Sequence, residues 1–116
     1  MRAVNDVINS YYELKPSQYG YLEGFYLQRE ITASGCSDYS LKLQLRSTNS
    51  SNDARLHMSF HGVRELKVGS LEGLVSLLID IRSVRERQLE NLDYRVWESE
   101  YEAFSFFCSD IEATIR

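Results

Sequence analysis

Apolar residues recur along this chain with two different periods, and the change of period separates a helical start from a strand-rich remainder. Val4, Val7, Ile8, Tyr11 and Leu14 stand at the three- and four-residue spacing of one helix face, with Asn5, Asp6, Asn9 and Ser10 opposite. The pattern predicts an amphipathic helix over residues 2–14, ended by Lys15-Pro16 because proline disfavours helical geometry in the residue before it. From Gly20 the period becomes two. Phe25, Leu27 and Ile31 share a parity and predict a long strand from Gly20 to Ala33, with a bulge at Gly24. Tyr39, Leu41, Leu43 and Leu45 alternate with Ser40, Lys42, Gln44 and Arg46, which is a strand with one wet face. Leu56, Met58 and Phe60 repeat the pattern after the polar loop Ser47 to Asp53, so the two segments predict a hairpin. Val63 to Val68 is either a further strand or a continuation past a bulge at Gly62.

Residues 71–90 fit two periods. Leu71, Leu74, Val75 and Leu78 have helical spacing, whereas Val75, Leu77, Ile79 and Ile81 alternate. Ser83 and Glu86 form a capping-box pattern that predicts a short helix near 84–90 and leaves 74–82 as a strand. Residues 92–98 and 103–109 are rich in Tyr, Val, Trp and Phe and predict a second hairpin; 110–115 is a last strand or a helical turn. The reading is an α+β fold. A mostly antiparallel sheet of about five to seven strands packs against the N-terminal helix. At 116 residues the chain forms a single domain, 1–116.

Charge changes this picture in one half. Residues 1–71 carry eight basic and seven acidic groups, and residues 72–116 carry five and ten. The net charge is −4, so binding to phosphate backbones is not expected; the acidic half either serves solubility or suits a basic protein partner. The first ten residues interrupt any export-type apolar core with Asn5, Asp6 and Asn9, and no apolar run is long enough to span a membrane. A cytoplasmic location is therefore expected, with Cys36 and Cys108 both reduced.

Candidate chemistry is sparse. His57 and His61 lie four apart on a strand, on the order of 13 Å from each other, too far to share one ion. With Arg55 and Ser59 they make a wet face that could bind phosphate or cleave RNA by general acid–base chemistry, or simply be solvated. Neither cysteine has a histidine near it in sequence, and no phosphate-loop, nucleophile-elbow or dinucleotide motif occurs; no cofactor, metal or catalytic residue is expected. The strongest local signal is Glu98, Glu100 and Glu102, which an extended chain would stack on one side, beside Trp97 and Tyr101. That cluster is either a solvated hairpin end or an acidic, aromatic docking edge. Trp97 and Tyr101 suit a sheet core as well as a hot spot.

Residues 74–112 contain the segments "IDI", "RQLENLDYRV" and "FSFFCSDIE" around that acidic turn. They resemble the C-terminal part of small uncharacterised proteins of Gram-negative bacteria, some of which are similar to immunity proteins that bind and neutralise a toxin from the same locus. The resemblance implies a non-enzymatic binding module. The residues allow two other readings: a small RNase-like or phosphate-binding protein built on His57 and His61, and a structural module that self-associates.

Overall fold

The computed structural model describes residues 4–49, 51–84 and 93–116. The N-terminal helix α1 (Val4–Glu13) ends where Lys15 takes a left-handed conformation ahead of Pro16, as its sequence predicts. Nine strands follow among the described residues: β1 (Tyr21–Gln28), β2 (Ile31–Thr32), β3 (Gly35–Cys36), β4 (Tyr39–Arg46), β5 (Arg55–Val68), β6 (Ile79–Ser83), β7 (Tyr94–Glu98), β8 (Phe104–Cys108) and β9 (Asp110–Ile115). Seven form one antiparallel sheet in the order β1-β4-β5-β8-β7-β6, with β9 also paired to β5.

A long ribbon organises the molecule. β8 and β9 run consecutively along one side of β5, from the pair Phe104–Val68 to the pair Ile115–Leu56. Both sides of the ribbon change parity at one level. Leu56, Met58 and Phe60 face the core before Gly62 and Val63 faces it after; Phe104, Phe106 and Cys108 face it before Ser109 and Ile111 after. Gly62 adopts φ +66°, and Ser109 donates both its backbone N–H (2.9 Å) and its hydroxyl (3.0 Å) to the His61 carbonyl. A Cβ at residue 62 would collide with the Ser109 hydroxyl, so both the angle and the space demand glycine. The bend folds one half-sheet (β1, β4, the first part of β5, β9) over the other (the rest of β5, β8, β7, β6). Their inner faces meet through Phe60 and Phe106 (4.9 Å between centroids) and Phe25 and Phe104 (5.9 Å).

Helix α1 closes the free edge of β6. Tyr11 donates its hydroxyl to the Ile79 carbonyl (2.6 Å), and the Ile81 N–H donates to the Tyr12 hydroxyl (3.1 Å). Two edge groups of this strand, the Ile79 carbonyl and the Ile81 N–H, are thereby bonded to side chains.

Both predicted hairpins form, the parity of β4 and β5 is as read, and Gly24 lies at an irregularity of β1. Two expectations change. The long strand stops at Gln28, and Leu27 and Ile31 are exposed, because the tip beyond the sheet has nothing above it. The strand expected over 74–82 begins only at Ile79, since residues 71–78 form an irregular connection from β5 to β6 that turns at Gly73 (φ +81°). Ser83 is the last residue of β6, paired with Tyr94; the capping box and the short helix expected near 84–90 fall, from residue 85 on, outside the described residues.

Candidate partner-binding site

The acidic segment is built around a carboxylate that faces inward. Glu98 is the last residue of β7 and is fully buried (0% exposed). Its Oε2 accepts the N–H groups of Leu78 (3.1 Å) and Glu100 (2.8 Å), and its Oε1 those of Tyr101 (2.7 Å) and Ala103 (3.1 Å). Four backbone donors around one charged acceptor lock the β7–β8 turn and tie it to the approach to β6. The expected common face of Glu98, Glu100 and Glu102 is therefore corrected. Period two holds only in extended chain, and the chain leaves the strand at Glu98; Glu102 takes φ +53°. Glu100 and Glu102 are exposed on the turn, and Tyr101 between them is 45% exposed.

Trp97 points the other way, onto the outer face of the β6–β7–β8 half-sheet. Cross-strand register arranges this face in two rows. One is Arg82, Arg95, Phe107 and Arg64; the other is Asp80, Trp97, Ser105 and Lys67. The Arg95 guanidinium carbon lies 4.8 Å from the Trp97 ring centroid and that of Arg82 5.8 Å, so two opposed cations share one aromatic ring. A groove of about 400 Å³ runs beside the ring, bordered by Lys67, Val68, Ser105 and Glu102. The residues singled out in the sequence thus separate into three places: Glu98 inside, Glu100, Tyr101 and Glu102 on the turn, and Trp97 on an arginine-rich sheet face. Sequence reading missed Arg82 and Arg95 as partners of Trp97, although their odd–even parity relative to Ile81 and Val96 carries the signal.

The histidines sit elsewhere, on the outer face of the first half-sheet. His57 lies between Gln44 and Thr114, and His61 between Ser40 and Asp110, with Ser59 between them along β5. Burial, then the Arg116 and Arg55 cations, hold the His57 imidazole below its ordinary pKa. The register puts the two rings in separate cross-strand rows. Cys108 is buried, and that burial, followed by Asp110 and Asp93, pushes its thiol pKa up; Cys36 is exposed. No cluster of three or more metal-ligating side chains occurs among the described residues. Nearby on the same half-sheet, the β1–β4 tip exposes Tyr26 and Ile31 (70% exposed), with Arg29 over the Tyr39 ring at 4.8 Å.

No curated protein and no solved structure matches the chain. A family model does. It is that of the immunity protein PIM8, and it matches residues 3–114, from the start of the helix almost to the end of β9. The match thus extends well beyond the C-terminal segment in which the likeness to immunity proteins was first read. Because it takes in nearly the whole fold, turn and arginine face included, the chain belongs to the PIM8 family of immunity proteins.

Proposed function

We propose that this protein is a non-enzymatic immunity protein that neutralises a cognate toxin in the cytoplasm by docking on it directly. The docking surface is the outer face around Trp97, continued by the turn that carries Tyr101. The observation that carries the reading is the placement of Trp97. A large aromatic ring is held outward on two arginines at the mouth of a groove, while smaller residues fill the sheet core behind it. Aromatic and arginine side chains with a charged rim are the usual anchors of protein interfaces. Glu100 and Glu102 at the rim steer basic groups of the toxin, and Tyr101 adds a second anchor.

Co-expression tests this. The toxin encoded beside this chain is produced in a sensitive host with wild-type protein, Trp97→Ala or the pair His57→Ala and His61→Ala. Wild-type and the histidine variants are expected to protect, and Trp97→Ala to protect poorly while keeping a cooperative unfolding transition. Full protection by Trp97→Ala would sink the proposed surface. Loss of protection by folded histidine variants would favour the RNase-like reading.

A further inference from the structure

We infer that the Trp97 face receives an acidic patch of the toxin, with partner carboxylates seated on Arg82 and Arg95 and reaching toward Lys67. This rests on the docking function proposed above and adds the chemistry of the partner. Arg82 and Arg95 stand directly opposite each other on β6 and β7. Like charges at that position work against the strand pair. The molecule contains a second opposed arginine pair, Arg46 and Arg55, and there the charge is answered: Glu23 lies 2.6 Å from Arg55 Nε. Among the described residues, the Arg82–Arg95 pair has no such answer. The ion pairs among the described residues are Arg55–Glu23 and Arg64–Asp38. Asp80, the single acid in the two rows, accepts the Tyr12 hydroxyl at 2.9 Å, and Glu98 is turned into the core.

What remains is a set of cations on a chain whose net charge is −4. Trp97 lies against both guanidinium groups, 4.8 Å from the central carbon of Arg95 and 5.8 Å from that of Arg82, and an aromatic ring leaves their N–H edges available to an acceptor. Those edges match a carboxylate in bidentate geometry. Lys67 lies two strands from Trp97 across Ser105, on the order of 10 Å away, so the face spans the spacing of a small carboxylate cluster. A nucleic acid would bring a continuous phosphate chain onto Asp80, Glu102 and Glu100 at the margins, whereas a protein surface can place acids at the centre and bases at the rim. The partner's pattern is thus acidic opposite the arginines and basic opposite the turn. That alternation lets one toxin be told from its relatives.

The test uses the purified full chain and the toxin encoded beside it, with affinity measured by titration calorimetry. The variants are Arg82→Glu, Arg95→Glu and Lys67→Glu. Wild-type binding is expected, with either arginine reversal weakening the Kd at least a hundredfold and Lys67→Glu at least tenfold. The thermal midpoint of Arg95→Glu should stay equal to or above that of wild type, because the change sets opposite charges across the strand pair. Binding by wild type that the reversals leave unchanged or tighten would overturn the acidic-patch assignment alone. No binding by wild type would overturn the docking function and this assignment with it. Submicromolar binding of a labelled RNA or DNA oligonucleotide to wild type, lost in Arg95→Glu, would assign the face to nucleic acid instead.

Discussion

Glu98 and Gly62 each carry more of this molecule than their residue types suggest. The Glu98 carboxylate satisfies four backbone N–H groups with no exposure to solvent. Glu98→Gln removes the charge and turns an amide donor toward other donors. The expected cost is about 2–4 kcal/mol, read as a lower urea midpoint, with amide exchange at Tyr101 and Ala103 accelerating first. A midpoint equal to wild type would show that the turn does not depend on the charge. Gly62→Ala meets both a left-handed backbone angle and the Ser109 hydroxyl, and should destabilise by about 1–3 kcal/mol. Adding Ser109→Gly should recover only part of that loss, since it relieves the contact and not the angle. Full recovery would mean that the angle costs nothing.

At the scale of elements, α1 and β6 are joined by tyrosine hydroxyls on the sheet edge. Burial, then Tyr12 and Asp80, raise the Tyr11 pKa far above its ordinary value of 10.0, so the folded state holds this proton more tightly than the unfolded chain. The stabilisation is complete below about pH 10 and is lost as the pH rises beyond it, where only the unfolded phenol ionises. Tyr11→Phe should cost about 1–2 kcal/mol near neutral pH by leaving the Ile79 carbonyl without its donor. That penalty should shrink between pH 8 and pH 11, because the variant has no such proton to lose. A penalty that stays constant or grows with pH would contradict the linkage.

For the whole molecule, charge is divided by surface and not only by sequence half. The C-terminal part is acidic in sum, yet the sheet face it builds carries Arg82 and Arg95, with the exposed Glu100 and Glu102 on the β7–β8 turn at its margin. Glu100→Gln combined with Glu102→Gln touches only exposed groups and should change stability by less than about 0.5 kcal/mol. Its effect belongs to association with the toxin: the on-rate should fall and its salt dependence change, with the dissociation rate little altered. Stopped-flow mixing at two ionic strengths measures both. An unchanged on-rate would remove the turn from the encounter.

Alternation along β4 and the first part of β5 settled which leucines and aromatics face the core, because each strand lies in a sheet with one wet side, and period two then leaves no other choice. The helix end at Lys15-Pro16 and the second hairpin were equally legible, being fixed by short-range sterics and by strand-forming composition. The glutamate cluster was not. Its period of two promised a common face, but where the strand stops depends on the backbone donors that Leu78, Glu100, Tyr101 and Ala103 bring to Glu98, and Leu78 arrives from twenty residues earlier in the chain. Trp97 was ambiguous for the same kind of reason. Its parity on β7 is local, but which face of the half-sheet is covered is decided by the bend at Gly62 and Ser109, which lays the other half-sheet on Val96 and Phe106 and leaves Trp97 with the arginines outside. Local pattern determined strands and their alternation; the long-range fold decided which acid is buried and which aromatic is offered to a partner.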